Sequence, residues 1–327
     1  MHVCGVKTWL SLGDIGDFYR KFRFKGKKVL GRIMASKAAK IAGTWDQTEL
    51  LPSNWWNIPA VRARWEEKIT GNAEYPYYQF VHDHFLAGKR HLKMASPGCG
   101  TGSHERHFAP FPEIESILAF DISPNSIAAA KKDGISKIDY QVKDFYVWME
   151  EPERYDLVFF YSSLHHFGNL AELIPALKKK LEPDGLLIIH EYTGPARMMW
   201  TKAQLKEANR LLKTLPRSYR RFAHGSGVKT KCYRPGLWRT LLTDPSESIE
   251  SDRILPLIHT HYNCLYERGF GGNILHLLFK DIAHHFCDGS EETQALLQAL
   301  FAAEDRFLEH YPSDFHFGIY TPVFNSA

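Results

Sequence analysis

The sequence predicts an α/β protein built on an open, mostly parallel sheet. A glycine-rich segment, residues 95–102, follows a short apolar run, and Asp121 ends a second apolar run 19 residues after Gly102. Further apolar runs of strand length then recur at intervals that leave room for helices. This alternation is typical of βαβ units, in which each crossover returns the chain to a parallel strand of the same sheet.

The first predicted strand is residues 92–96, and the first predicted helix, residues 103–110, follows a glycine-rich turn. Gly98, Gly100 and Gly102 lie in this strand-to-helix turn. They lack the Cβ atom that would hinder close approach of a ligand to the backbone. The turn therefore predicts a binding loop for a nucleotide-like cofactor.

The second predicted strand, residues 117–121, ends in the carboxylate of Asp121. A right-handed crossover would bring this carboxylate back beside the glycine turn, within reach of ribose hydroxyls. The dinucleotide fingerprint is Gly-x-Gly-x-x-Gly, whereas position 103 is Ser and the chain has Gly-x-Gly-x-Gly. A nicotinamide-dependent oxidoreductase on a similar sheet is therefore the less favoured alternative.

The later segments continue the alternation of strands and helices. The remaining predicted strands are residues 140–144, 155–161, 185–191, 263–270 and 315–322. The predicted helices after the fifth strand are residues 200–215, 273–286 and 291–311. The fifth and sixth strands are separated by an insertion, residues 192–258, at the carboxyl edge of the sheet, where ligands of open α/β sheets bind.

The order of these segments over residues 90–192 resembles the class I S-adenosylmethionine-dependent methyltransferases. The resemblance implies a Rossmann-like, seven-stranded, mostly parallel sheet with an antiparallel last strand, and S-adenosyl-L-methionine as the cofactor. In that family the glycine-rich loop, here residues 98–102, passes the methionine part of the cofactor. The acid that ends the second strand, here Asp121, binds ribose, and the residues matched by Asp144 and Phe145 lie near adenine. By position, the implied cofactor-binding residues are Ser96, Gly98, Cys99, Gly100, Gly102, Asp121, Ile122, Asp144, Phe145, Tyr161 and Ser162.

One position departs from the family pattern. The family usually has Asp or Glu two residues before the first glycine, and this chain has Ser96 there, as in a bacterial subgroup that it also resembles at residues 103–106. The ammonium group of the cofactor thereby loses a nearby countercharge. Glu105, about one turn into the helix, is a candidate replacement, and the alternative is a first-turn Glu that stabilises the helix dipole. The departure also keeps open a binding module without catalysis.

Candidate catalytic residues lie at the same sheet edge. His165 and His166 follow the fourth strand, and Glu191 ends the fifth. Methyl transfer to an alcohol requires a base that removes the hydroxyl proton, and histidine is the usual choice near neutral pH. No metal site is expected, since none of the other histidine pairs, His82/His84, His259/His261 and His284/His285, brings a clear third ligand.

The end of the fourth strand also bears on the methyl acceptor. It reads Phe-Tyr-Ser-Ser, which is neither the Asn/Asp-Pro-Pro-aromatic pattern of exocyclic-amine methylation nor the Pro-Cys pair of cytosine C5 methylation. The related bacterial subgroup often accompanies sugar-transferring enzymes. We therefore expect O-methylation of a small molecule or of a glycan or glycolipid, and no nucleic-acid partner.

The chain divides into three predicted parts: a basic N-terminal arm over residues 1–42, an aromatic-rich cap over 43–90 and a methyltransferase domain over 91–327. Nine Lys and Arg residues and no acid fall between positions 20 and 40. Interleaved apolar residues suit peripheral contact with an anionic membrane or an acidic partner, and a solvated arm is the alternative. Nucleic acid is a third alternative, but the whole chain lacks the strongly basic balance of a dedicated nucleic-acid binder. The cap is either part of a lid over the cleft or simply packs on the sheet.

Composition is that of an ordinary globular enzyme. The chain has 327 residues, 44% hydrophobic and 24% charged, with a net charge of +4. Its five cysteines are scattered and contain no Cys-x-x-Cys pair, which predicts neither a disulfide framework nor a zinc ribbon. We find no candidate transmembrane run or secretory leader, so the expected location is the cytoplasm. The oligomeric state stays unassigned.

Overall fold

The computed structural model of the protein describes residues 9, 11, 13 and 14 and the ranges 54–223 and 227–323. The nine basic residues of the predicted arm lie outside the described residues, as do residues 43–53 of the predicted cap. In these ranges no helix combines the length and the apolar character needed to cross a membrane.

A seven-stranded sheet forms the centre of the protein, with the strand order β3-β2-β1-β4-β5-β7-β6. Neighbouring strands from β3 to β5 are parallel, and β7 runs antiparallel to both β5 and β6. The predicted fold class is thereby confirmed, including the antiparallel last strand. The strands are β1 Leu92–Pro97, β2 Ile114–Asp121, β3 Ile138–Val142, β4 Tyr155–Tyr161, β5 Leu181–Tyr192, β6 Tyr262–Gly271 and β7 Phe315–Pro322.

Helices cover both faces of this sheet, which explains why β4 is a continuous apolar run: its residues 157–160 are all buried. The α-helices are α1 Pro59–Thr70, α2 Tyr77–Val81, α3 Glu105–Phe108, α4 Pro124–Ala130, α5 Phe145–Glu150, α6 Leu170–Ala176, α7 Lys202–Thr214, α8 Leu237–Thr243, α9 Ile254–His261, α10 Leu275–Phe279 and α11 Glu291–Leu308. Single 3₁₀ turns are Trp55–Asn57, Lys131–Asp133, Leu164–His166, Leu177–Lys180, Ala196–Met198, Ser218–Arg220, Ser251–Arg253 and Ala283–Phe286, and His82–Leu86 is a π-helical turn.

Two predicted helices differ from the structure. The helix expected from residue 103 begins only at Glu105 and is one turn long. Gly102, three positions before it, has a left-handed φ of 72°. The helix expected over residues 273–286 is split into α10 and a 3₁₀ turn. Asp281, with a φ of 67°, lies between the two parts and interrupts the helix.

The described part of the predicted cap packs on the sheet. Trp55, Trp65 and Tyr77 are buried, and the ring of Tyr77 lies 6.3 Å from that of Phe159 on β4. Arg64 of α1 also forms an ion pair, 2.8 Å long, with Asp305 of α11. The described aromatic groups of this segment therefore pack on the sheet, and a role as part of a lid stays a prediction.

The strand order reverses between β1 and β4, since β1 pairs with β2 on one side and with β4 on the other. Crossover helices therefore diverge at this point, and a crevice forms outside the carboxyl ends of the two strands. The insertion folds over the same edge. Ser251 donates a hydrogen bond of 2.9 Å to the Gly194 carbonyl, and the Ile249 amide donates one of 3.2 Å to the His165 carbonyl.

Candidate functional site

The glycine loop curls over the end of β2. The amides of Gly98 and Cys99 both donate to the Phe120 carbonyl, at 2.8 and 3.0 Å. Gly98 and Gly100 have left-handed φ values of 70° and 55°. A Cβ atom on Gly98 would lie 2.7 Å from the Cβ of Ser163, whereas one on Gly100 would meet nothing within 4 Å. Gly98 is thus required by packing, and Gly100 borders open space.

The carboxylate of Asp121 lies against this loop, as predicted from the sequence. Its Oδ2 accepts a hydrogen bond from the Gly100 amide at 3.0 Å, and its Oδ1 accepts one from the Ser123 amide at 2.8 Å. Burial raises the pKa of Asp121, although these two hydrogen bonds oppose the rise. Ile122, which lies between Asp121 and Ser123, is half-buried. The acid and the bare backbone turn therefore share one edge of the crevice.

On the inner side of the loop, Ser96 donates a hydrogen bond of 2.5 Å from its Oγ to Oε1 of Glu105. Both side chains are buried, at 1% exposure each. Within the described part of the chain, Oε2 of Glu105 has no hydrogen-bond partner. Burial raises the pKa of Glu105 to about 7. The carboxylate that the motif lacks at position 96 is thus present beside it, supplied from α3.

The two residues predicted near adenine also have structural roles. Asp144 caps α5, since its Oδ1 accepts hydrogen bonds from the amides of Tyr146, at 2.8 Å, and Val147, at 3.3 Å. Phe145 is buried, and its ring stacks 4.0 Å from that of Phe167. Their contact with a cofactor stays a prediction.

Tyr161, at the end of β4, is stacked between two imidazoles. Its ring centroid lies 3.2 Å from that of His104 and 4.2 Å from that of His190. His104 in turn makes a 2.9 Å hydrogen bond with the Tyr77 hydroxyl. Burial lowers the pKa of His190 to about 3 and also lowers the pKa of His104, so both rings are neutral. The stack forms an uncharged wall between the cap and the sheet edge.

Ser162 and Ser163 turn the chain away from β4. Ser162 has a φ of 48° and donates its amide to the His190 carbonyl at 2.8 Å. Oε1 of Glu191 then accepts hydrogen bonds from the amides of Ser163 and Leu164, both at 2.6 Å. The Glu191 side chain is therefore tied to the turn that carries the two histidines.

The other oxygen of Glu191, Oε2, lies 2.6 Å from Nδ1 of His165. Glu191 is completely buried, which leaves it no exposure to an acceptor. Its observed contacts are those of a group that orients His165. The second ring nitrogen of His165, Nε2, lies 3.7 Å from a carboxylate oxygen of Glu247, which comes from the insertion.

The two histidines have opposite electrostatic surroundings. Burial by itself would lower the pKa of His165, but Glu191 and Glu247 outweigh it and the pKa is raised. Burial and the neighbouring His165 lower the pKa of His166, whose Nδ1 lies 3.2 Å from Oγ of Ser246. The two imidazoles lower the pKa of Glu247 against the effect of its burial.

Glu247 and Ser246 are site residues that the sequence analysis missed. They lie about 80 positions after the histidines, within residues 244–248 of the insertion. That stretch resembles the same bacterial subgroup, but the resemblance assigns no role to either residue. The ligand atoms of His165, His166 and Glu247 lie within 4.8 Å of one another, close enough to share an ion. Sequence spacing alone cannot reveal a set assembled in this way.

A family model described as a methyltransferase domain matches residues 72–230. Over these residues the chain is similar to methyltransferase domains. The matched range contains the glycine loop, Asp121, both histidines and Glu191, together with the first part of the insertion. The topology of the sheet is the one that the resemblance to class I methyltransferases implied.

Two curated relatives match this chain over only a small part of their own length. An uncharacterised protein of Synechococcus sp. is 30% identical over 125 residues, which are 37% of this chain and 30% of that protein. The non-reducing polyketide synthase mapC of Penicillium roqueforti is 30% identical over 120 residues, which are 33% of this chain and 5% of the synthase. The chain thus spans less than a third of the length of these curated relatives.

Among solved structures, the cyclopropane synthase MmaA2 from Mycobacterium tuberculosis is similar with a TM-score of 0.49 and 15% identity, covering 88% of this chain and 99% of that one.

Proposed function

We propose that the methyltransferase domain transfers a methyl group from S-adenosyl-L-methionine to a hydroxyl of a small molecule, glycan or glycolipid. The observation that carries this proposal is the 3.0 Å hydrogen bond between the Gly100 amide and Asp121, at the ends of adjacent parallel strands. When bound, the cofactor supplies a sulfonium methyl group. The protein's task is then to position the two reactants, exclude water and accept a proton.

The residues at the crevice fit this cofactor. A Cβ on Gly100 would meet nothing within 4 Å, so the loop backbone is open to a ligand. Each carboxylate oxygen of Asp121 accepts one backbone hydrogen bond and keeps a lone pair for a ribose hydroxyl. The unpartnered Oε2 of Glu105 offers an acceptor for a cationic or hydrogen-bond-donating group on the opposite side of the loop.

His165 is the base in this proposal, and Glu191 is its positioning residue. Since Oε2 of Glu191 lies 2.6 Å from Nδ1, the neutral ring carries its proton on Nδ1 and presents Nε2 as the proton acceptor. Nε2 faces the insertion, where Glu247 lies 3.7 Å away. The acceptor hydroxyl would therefore lie between β4 and the insertion.

The charges around His165 suit it to this role. A base works best when its pKa is near the working pH, and the carboxylates raise the pKa of His165 despite its burial. His166, whose pKa is lowered, is the weaker base and is better suited to a hydrogen-bonding role toward Ser246. The cytoplasmic location of the protein stays a prediction.

Turnover with methyl-labelled S-adenosylmethionine tests the proposal. A panel of phenols, aliphatic alcohols, glycans, amines and carboxylates would be offered to the full chain, and the products would be analysed for the methylated atom. We expect label on oxygen, and loss of transfer in His165→Ala without loss of cofactor binding. Transfer only to nitrogen, or full activity of His165→Ala, would refute the assignment of an alcohol acceptor and its base.

A further inference from the structure

Helix α7, the first long helix of the insertion, carries a cationic groove that the proposed chemistry does not use. The cavity has a volume of about 500 Å³ and no carboxylate among its lining residues, which are Lys202, Leu205, Lys206, Asn209, Arg210, Lys213 and Lys231. We call this surface the cationic groove.

The groove is held in shape by packing and hydrogen bonds. The opposite face of α7 buries Ala208, Leu211 and Leu212 in the core. Asn209 donates a hydrogen bond of 3.0 Å to the Cys232 carbonyl and accepts one of 2.8 Å from its amide. The segment that carries Lys231 is therefore fixed against the helix.

The charges of the groove repel one another. Lys202 and Lys206, and likewise Lys206 and Arg210, are four positions apart on α7, a spacing at which like charges destabilise a helix. Glu207 offsets part of this repulsion through its 2.6 Å ion pair with Arg210. An anionic partner in the groove would relieve the rest.

An exposed apolar patch follows the groove along the chain. Helix α8 begins six residues after Lys231 and exposes three large apolar side chains. The ring centroid of Trp9 lies 6.1 Å from that of one of them, Trp238. We call these residues the aromatic patch: Trp9, Trp238, Leu241 and Leu242, which are 55%, 52%, 39% and 38% exposed. The amide of Gly236 anchors the start of α8 through a 3.0 Å hydrogen bond to Asp14.

We infer that the cationic groove and the aromatic patch together dock the protein on an anionic phospholipid bilayer. Basic side chains bind lipid phosphates, and exposed tryptophan and leucine side chains insert at the headgroup level. A nucleic acid would use the cations but would leave the leucine side chains in water, so the bilayer is the better complement. The inference does not depend on the methyl acceptor or on the cofactor.

Vesicle sedimentation with the full chain tests this inference. The probes are phosphatidylcholine vesicles with and without about one third phosphatidylglycerol. Two variants are compared with the wild type, Lys206→Glu/Lys213→Glu in the groove and Trp238→Ser/Leu241→Ser in the patch. The matched control is Lys131→Glu/Lys132→Glu, which reverses two exposed charges elsewhere. Thermal unfolding verifies that each variant is folded.

We expect binding to the anionic vesicles alone, weakened about tenfold or more in the groove and patch variants and unchanged in the control. Added salt should weaken the binding of the wild type. Equal binding of all variants, or no binding of the wild type, would overturn the inference. It would also be overturned if a short DNA duplex were retained through Lys206 and Lys213 while vesicles were not.

Discussion

The hydroxyl of Ser96 donates a 2.5 Å hydrogen bond to the carboxylate of Glu105, and both side chains are almost fully buried. Ser96 thus stands where the resemblance to class I methyltransferases leads one to expect an acid, and a carboxylate from the following helix lies beside it. The other oxygen of this carboxylate has no partner within the described residues. Ser96 and Glu105, nine positions apart in the sequence, therefore form one hydrogen-bonded pair.

Glu105→Gln should weaken binding of S-adenosylmethionine about tenfold or more, because a charge-assisted hydrogen bond to the cofactor's ammonium is lost. It should leave the affinity for 5′-methylthioadenosine unchanged, since that compound lacks the amino-acid part. Calorimetric titration of both ligands checks this, with the exposed Glu74→Gln as the control. An equal loss for both ligands would instead indicate a general distortion of the loop.

Glu105→Gln should also change the pH dependence of stability. Burial raises the pKa of Glu105 from about 4.5 to about 7, so the folded state binds its proton more tightly than the unfolded state. Ionisation of Glu105 therefore lowers the free energy of unfolding as pH rises from about 4.5 to about 7, and this loss is fully present above that range. The difference in unfolding free energy between variant and wild type, measured by urea unfolding, should shift in favour of the variant across this window. A difference that does not vary with pH would show that Glu105 has an ordinary pKa.

Gly98→Ala and Gly100→Ala should have different effects. Both glycines have a left-handed φ, which costs alanine about 1 kcal/mol. Only at Gly98 would the new Cβ also lie 2.7 Å from Ser163, so this variant should lose about 2–3 kcal/mol or more. Gly100→Ala should remain folded and bind the cofactor weakly, because its methyl group enters the open space. Chemical unfolding and cofactor titration of the pair check the contrast, and a Gly100→Ala variant with native affinity would contradict it.

His165→Ala should lower kcat about 10²–10⁴-fold with little change in cofactor affinity, as expected for loss of a general base. The wild-type rate should rise with pH as His165 loses its proton, over a range above the usual value for histidine because its pKa is raised. Glu191→Gln should lower kcat and move this rise to lower pH, since a carboxylate that holds the pKa up is removed. A lower kcat without a shift of the profile would mean that Glu191 is merely structural.

A chelator provides the control for this assignment. His165, His166 and Glu247 are close enough to share an ion, and an ion on Nε2 of His165 would prevent that atom from acting as a base. We expect full activity after exhaustive treatment with EDTA. Activity that is lost to EDTA and restored by a divalent cation would replace the base with a metal site.

The sequence predicts the sheet well because its signals are local. Strands β2, β4 and β5 each contain an apolar run. Asp121 lies at the end of such a run, so its approach to Gly100 follows from topology alone. The contact between His165 and Glu247 has no such basis. It depends on how a long insertion folds back over the sheet edge, and this is decided by tertiary contacts such as that of Ile249 with His165.

Tertiary contacts also decide the surroundings of Glu191 and of the cap, which local sequence signals do not reveal. The sequence places Glu191 at the ligand edge, but only the structure shows that its oxygens are taken up by two backbone amides and His165. The aromatic content of the cap indicates burial without indicating the surface that buries it. The structure shows one such surface, since the ring of Tyr77 stacks on that of Phe159 of β4.

Titration of the protein with S-adenosylmethionine and with NAD, in the wild type and in Asp121→Ala, tests the central claim most directly. We predict saturable binding of S-adenosylmethionine alone, weakened about tenfold or more in the variant because the ribose hydroxyls lose their acceptor. Thermal unfolding without ligand verifies that the variant is folded. Binding of NAD without S-adenosylmethionine, or native affinity in a folded Asp121→Ala, would contradict the account.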